Sequence, residues 1–596
     1  MLLRTLTVSA LTTLVAAQSV PLQPRSVADA LPASTYAAVR FGGLDACREA
    51  VGQLPMTALV ESFFGELPAE LRDQVLEDGL ADAADELRQH LQEAGIKPAE
   101  LRAVLSQPMA VAVGRLSIEG MGPSLCLLVE EGNRRQAINN TMRAVGRLLP
   151  RLGANVELGR DEIAGHKLYR LQIEDGPPVF AGWLGQYYVV SNSRGYLTEV
   201  AKVQAGTQVS LAASTRVGQL RQQLPAPPLM SMMINASSVM DALAPHLPYE
   251  AADLSDALGL GRLDVIYSAM TASERGGTDL LHVGIGGSER GLAKALVATP
   301  ADLSFAKVCS ANTIVFGAGS FDMPAVIEAF QRFVKLLPAE AQQEIRREMG
   351  REMAREMRHM GTSPAEVHGM LRAFGNQVGF AVSLEKGAVP KPEMLLRLSV
   401  DDHAPISSLM QRVEALSTRE AHVEWRSRKA GAHEVRFCNV QVEDQLQLSP
   451  CYVLTDDNLW IGSDVAGLVR ALRRADKPEK SLAATEDFAR MAREATGASG
   501  VVHIRSFRGV EIGWRSVETM LYPMLDANAD EIGFDSDSLP DSEQLAAALG
   551  TTTFVYRVDD YGVTVKTEGP MAMGALLAAF GMLGDEVLSR ATGKVF

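Results

Sequence analysis

Apolar and polar positions alternate in short paired runs that recur four times along the chain. Met109–Val113 is followed by Leu125–Glu130, Asp264–Thr271 by Asp279–Gly284, Val378–Leu384 by Met394–Val400, and Thr553–Val558 by Gly562–Thr567. Each run has the length and β-branched content of a strand. Gly, Pro or Asp stands in each connection, as in Asp559-Asp560-Tyr561-Gly562, so each pair predicts an antiparallel hairpin. Another apolar strand that runs into a turn and a helix also occurs four times: Tyr36–Phe41 before Leu44, Met230–Asn235 before Val239, Thr313–Phe316 before Met323, and Val501–Ile504 before Val510. The repeating unit is therefore strand, helix or helices, strand, strand, helix.

The four units fall into two matching halves. Ser210-Leu-Ala-Ala-Ser-Thr215 is echoed by Ser481-Leu-Ala-Ala-Thr-Glu486, 271 residues further on. An extra β segment lies between the two units of each half, Val156 to Asn192 and Val423 to Asp464. Within these, Tyr188-Val-Val-Ser191 aligns with Trp460-Ile-Gly-Ser463. The pattern predicts an α+β fold of two tandem homologous lobes, residues 28–300 and 301–596, each of antiparallel sheet segments with helices packed on one face. The apolar run Pro570 to Leu583 takes the place of the closing helix of the fourth unit. It is interrupted by Asp585 and Glu586 and reads as a packed helix, not a membrane span.

The N-terminus changes the picture of where the chain works. Arg4, the apolar stretch Leu6 to Val15 and the small residues Val15-Ala16-Ala17 form the ordered pattern of a signal peptide over residues 1–17, with a linker over 18–27. The expected location is periplasmic or secreted, with no transmembrane helix in the mature chain. Apolar residues make up 47% and charged residues 22% of the 596, as in ordinary globular proteins. The net charge of −15 with no basic block repels phosphate backbones, so nucleic acid is not an expected partner. None of the five cysteines forms a C-x-x-C pair, which argues against a zinc ribbon or a thioredoxin-like site. Cys438 and Cys451 flank two short strand-like runs and are expected on neighbouring strands, whether or not they are bridged.

Candidate chemistry is sparse. Met349, Met353, Met357 and Met360 recur at helical spacing and read as the core face of an amphipathic helix from near Ala339 to near Arg358. The alternatives are an adaptable protein-binding face, or a soft-metal site with His359 and His368. Asp526, Asn528, Asp530 and Asp537 have part of the spacing of a calcium loop. Glu531 stands where that loop needs Gly, so a solvated acidic loop over 526–537 is the simpler account. Gly284-Ile-Gly286-Gly287 follows a strand but departs from G-x-G-x-x-G. Asn139 and Asn235 head glycosylation-type triplets, and His503 lies on an apolar strand as a core histidine. Nothing singles out catalytic, cofactor-binding or metal-ligating residues, and no cofactor is expected.

The signal-type N-terminus, then Ala30-Leu-Pro-Ala-Ser-Thr-Tyr36 leading into strand and helix, then duplicated α/β units, resembles exported bacterial proteins of an uncharacterised domain-of-unknown-function group. That resemblance implies a cell-envelope location and supplies no site residues. The expected function is that of a non-catalytic binding or scaffold protein with a protein partner or an apolar ligand in the envelope. A periplasmic carrier of an apolar ligand such as lipid is the second reading, and an enzyme with a dispersed site is the third.

Overall fold

The structure, a computed structural model, describes residues 27–592 apart from 58, 60–78, 118–121, 152–155, 174–175, 214, 247–261, 287–298, most of 323–360, 386–390, 421, 444–445, 529–535, 537–538, 540 and 571. The signal-type segment and the methionine row Met349 to Met360 lie outside the described residues.

Twenty strands join into one sheet. The first ten are β1 (Ala37–Phe41), β2 (Met109–Ser117), β3 (Gly122–Glu130), β4 (Val156–Ile163), β5 (His166–Ile173), β6 (Val179–Leu184), β7 (Tyr187–Ser191), β8 (Met230–Asn235), β9 (Leu263–Ser273) and β10 (Gly276–Ile285). The second half supplies β11 (Thr313–Ser320), β12 (Phe374–Glu385), β13 (Lys391–Val400), β14 (Arg426–Ala430) and β15 (His433–Phe437). A separate small hairpin follows, β16 (Val440–Glu443) and β17 (Leu446–Leu448). The half is completed by β18 (Cys451–Leu454), β19 (Asn458–Gly462), β20 (Gly500–Ile504), β21 (Thr552–Asp559) and β22 (Gly562–Gly569).

All pairings are antiparallel, as the four predicted hairpins require. Followed from partner to partner, the order is β4-β5-β6-β7-β3-β2-β1-β8-β9-β10-β22-β21-β20-β11-β12-β13-β19-β18-β15-β14. Read from either end, each ten strands run in the same order of elements. The two sets meet through their last strands, with Gly277 opposite Gly569 and Gly284 opposite Gly562. The two landmark serines hold matching places, since Ser210 bridges Pro32 and Ser481 bridges Ser310.

Hydrogen bonds correct one of the aligned segments. Asn192 Oδ1 accepts from Leu125 N, and Ser463 Oγ accepts from Met394 N. One residue on, Ser193 and Asp464 cap the following helices. Asn192 therefore corresponds to Ser463, and Tyr188 corresponds to Leu459, one residue away from Trp460. In a strand that slip matters, because it moves every side chain to the opposite face.

Fourteen helices are described: α1 (Leu44–Val51), α2 (Gly79–Glu93), α3 (Pro98–Leu105), α4 (Arg135–Arg151), α5 (Arg194–Gln204), α6 (Thr215–Arg221), α7 (Ala236–Leu243), α8 (Pro364–Ala373), α9 (His403–Glu420), α10 (Val465–Arg474), α11 (Glu486–Glu494), α12 (Ser506–Ala527), α13 (Ser542–Leu549) and α14 (Met573–Ala591). They do not lie on one face, as the pattern predicts, but on both. Leu197 and Val200 of α5 and Leu220 of α6 pack on Ala38, Ala112 and Leu128, while Leu468 of α10 and Phe488 of α11 pack on Phe316 and Val501. Ile138 of α4 packs on Val129, and Ile406 of α9 packs on Val400, from the opposite side. The reason is visible in runs such as Met109-Ala-Val-Ala-Val113, where both alternating sets are apolar and both need cover.

The closing helix α14 is packed, but against the other half of the chain. Ala575 and Ala578 share a core with Cys47, Leu54 and Ala272. Both Asp279 oxygens cap its first turn, one of them accepting from Gly574 N at 2.7 Å. Any side chain at Gly574 would bring its Cβ to 2.0 Å from Thr271 O, so only glycine lets the helix sit this low on β9. Asp585, 5% exposed, takes a two-pronged bond from Arg102 (2.6 and 2.9 Å) and another from Arg48 Nε at 3.0 Å.

The cysteines are five buried free thiols. Cys451 opens β18 and faces Phe437 of β15, whereas Cys438 lies one residue past the end of β15 and not on a strand. Its N donates to Pro450 O, so the two cysteines adjoin but only one is on a strand, and both are free thiols. Burial pushes the Cys451 thiol up to about 12.

Removing the buried Asp585 carboxylate takes away the acceptor of the two-pronged Arg102 bond and of the Arg48 bond. Asp585→Ala is expected to destabilise the protein by about 2–4 kcal/mol in urea unfolding, whereas Asp45→Ala, at an exposed pair with Arg48, is expected to change it by less than about 1 kcal/mol.

Candidate functional site

Facing residues in an antiparallel ladder share a side of the sheet, and so do residues two apart on one strand. This rule traces one face across the whole centre of the molecule. Leu125 faces Val113, and Val111 faces Val39. The path continues through Met232, Ser268, Leu281, Val565 and Tyr556. From Phe554, two residues from Tyr556, it runs through Val502, Gly317, Phe380 and Leu396, with Met394 two residues on. Leu125, Val111, Val39, Leu281, Phe554, Phe380 and Met394 are all exposed large apolar side chains, with Val111 at 51% and Met394 at 60%. They form a single row on one side of the sheet, crossing from the first ten strands to the last ten.

Two glycines give that face a flat floor. The Phe380 ring lies where a Cβ of Gly317 would be, 2.0 Å from its nearest atom, and the Tyr556 ring lies likewise over Gly500. Each ring covers a bare backbone in the neighbouring strand, a recognised way to shield glycine in a sheet.

The opposite face at the seam is polar. A cavity of about 350 Å³ is lined by Gln223, Glu494, Thr553, Arg557, Lys566 and Glu568. A second, of about 200 Å³, adds Arg275, Arg490, Asp487 and His503. These charges largely answer one another. Arg275 lies 3.5 Å from both Glu494 and Glu568, and Lys566 lies 3.0 Å from Glu568. His503 bonds Thr553 Oγ1 through Nδ1 at 2.8 Å and faces Asp487 through Nε2 at 3.4 Å. Arg505 grips the same aspartate and two backbone carbonyls, of Ala311 and Thr313. The Asp487 carboxyl is held below its usual range, against the opposing effect of burial, by bonds from His503 and Arg505. His503 is thus satisfied on both nitrogens inside the core, as its apolar strand predicts.

The seam has a histidine of its own. His282, fully buried on β10, faces Thr564 on β22, with Nδ1 2.9 Å from Thr564 Oγ1. Arg216 Nε approaches Nε2 at 3.5 Å, so Nε2 is the acceptor and Nδ1–H donates to the threonine. Arg216 also pairs with Asp559 at 2.9 Å and lies over the Tyr561 ring, tying α6 to the β21–β22 turn. No sequence motif marks His282. The signal that could have found it is a lone histidine among Leu280, Leu281 and Val283 on a strand with no polar face.

The other residues singled out in the sequence have structural work. Asn139 Oδ1 accepts from Trp183 Nε1, and Asn235 caps α7. Asp526 lies on α12 and accepts from Ser536 N, while Asn528 donates to Met524 O. Asp530 and Asp537 lie outside the described residues, as do His359 and the segment after Gly286. Among the described residues no group of three His, Cys, Asp or Glu could hold a metal ion, and no helix is long and apolar enough to cross a membrane. No family model, curated protein or solved structure matches the chain.

Burial, with Arg216 second, lowers the His282 pKa to about 4 from an ordinary value near 6.5; Asp559 and Asp264 act in the opposite sense. The unfolded chain therefore binds a proton that the folded one refuses between those values. Stability is unaffected above pH 6.5 and falls as pH drops towards 4, by at most about 3 kcal/mol. His282→Asn, which keeps a donor for Thr564, is expected to reduce the loss of melting temperature between pH 7 and pH 4.5. An unchanged pH profile would contradict this account of the seam.

Proposed function

We propose that the chain is a non-catalytic, exported binding protein of the bacterial cell envelope, built from two homologous lobes over residues 28–300 and 301–596. Its partner meets the exposed apolar row where the helices packed on that face of the sheet leave it uncovered. The matching strand order, the paired bridges at Ser210 and Ser481, and the matching caps at Ser193 and Asp464 support the duplication. The signal-type residues 1–17 support export.

The row of exposed apolar side chains carries the binding reading. Isolated exposed apolar residues are ordinary on protein surfaces, but a contiguous set on one face marks an interaction surface. From β3 to β13 it crosses twelve strands, about 50 Å at ordinary strand spacing, which is wider than one acyl chain and suits a macromolecular partner with an apolar surface. A carrier of apolar ligand is the second reading, favoured by the flat aromatic floor at Phe380 and Tyr556.

Val111→Asp combined with Met394→Asp places charges at both arms of the row, on side chains that are already half exposed. Wild-type protein is expected to enhance Nile red fluorescence, and the double variant to do so at least fivefold less with an unchanged melting temperature. Equal dye binding by both proteins would overturn the reading. Native mass spectrometry of gently purified wild-type protein then separates a bound protein from a bound lipid.

A further inference from the structure

The core of the first ten strands holds a small cavity whose polar lining consists of donors. It has a volume of about 20 Å³, room for one particle of about water size. Arg40 on β1, Ser231 on β8, Tyr267 on β9 and Arg221 at the end of α6 supply its polar groups, and the remaining lining is aliphatic side chains and Met233. Arg40 and Ser231 face each other across the ladder, and Tyr267 faces Met233, two residues further along β8 and on the same side of the sheet.

Two of these donors are unanswered. Arg40 donates through one terminal nitrogen to Pro228 O at 2.6 Å, but its buried Nε–H has no hydrogen-bond partner. Tyr267 is only 2% exposed, and its hydroxyl lies beside the Arg221 guanidinium, which can only donate to it, so the hydroxyl's own hydrogen meets no acceptor. Buried donors are ordinarily paired, and each one left unpaired costs about 1–3 kcal/mol. Asp29 is committed to Arg221 at 2.8 Å, and neither Asp29 nor Glu130, the nearest carboxylates, lines the cavity. Two guanidinium groups bordering one void repel each other, and burial together with Arg221 weakens Arg40's hold on its proton.

We propose that this cavity binds a monoatomic anion, chloride in the chain's natural setting, held by the Arg40 Nε–H, the Tyr267 hydroxyl and the positive field of Arg221. An acceptor without hydrogens satisfies both orphan donors at once, and its charge offsets the repulsion between the guanidinium groups. The site belongs to the first ten strands alone. The corresponding places in the last ten are held by Ala318, Val501 and Thr553, as the matching pairs Ala318–Val501 and His503–Thr553 show.

The test is the melting temperature of the full chain titrated with sodium chloride against sodium gluconate at constant ionic strength. Chloride and bromide are expected to raise it along a saturable curve that gluconate does not reproduce. Tyr267→Phe, which removes the hydroxyl donor and keeps the ring, is expected to shift the midpoint of that curve at least tenfold. Crystals grown in bromide are expected to show an anomalous peak between Arg40 Nε and Tyr267 Oη. Identical curves in chloride and gluconate, full chloride dependence in Tyr267→Phe, or a cavity holding water without bromide would each overturn the proposal.

Discussion

The ladder between β10 and β22 is the contact on which the rest of the molecule depends. Without it, each set of ten strands would end in a long open edge of unpaired backbone groups, the kind of edge that recruits other chains. With it, those two edges are consumed and the sheet ends instead at β4 and β14. These carry Glu157, Arg160 and Glu162 on one side and Arg426, Arg428 and Lys429 on the other. Charged side chains of this kind on an edge discourage further pairing. The close approach is built into the backbone: a Cβ at Gly562 would lie 2.1 Å from Val283 O.

Everything else at the centre reinforces that ladder. Asp279 of β10 caps the helix that follows β22, and this helix then crosses onto the first half, where Arg48 and Arg102 hold Asp585. On the polar face, His282 bonds Thr564, and Arg216 reaches the β21–β22 turn. On the other face the same ladder lets Leu281 and Val565 carry the apolar row from one half to the other. The proposed binding face is therefore a product of the seam, since neither set of strands supplies its full width.

Much of this was legible in the sequence. The four hairpins follow from period-two runs bounded by turn residues, and the matching places of Ser210 and Ser481 follow from the two similar segments around them. Alternation assigns a residue to a face but says nothing of which distant strand lies beside it, so the meeting of β10 with β22 was not legible. The one-residue slip at Tyr188 arose because its apolar run aligns almost as well in either register; the side-chain caps at Ser193 and Asp464 decide it. Helices on both faces were hinted at by the doubly apolar runs Met109 to Val113 and Thr313 to Phe316. The exposed row could not be distinguished from core, because Val111 and Ala112 look alike in a sequence and differ only in what covers them. The donor-lined cavity was hidden for the same reason: Arg40, Arg221 and Tyr267 are far apart along the chain.

Hydrogen exchange of the intact chain, followed by mass spectrometry, tests the central claim most directly. Peptides covering residues 277–284 and 562–569 should be protected as strongly as those of the interior strands β1 and β11, and should open together, because every amide of β10 and β22 then lies within the sheet. Exchange of those two peptides as fast as that of the edge strands β4 and β14 would contradict a single continuous sheet.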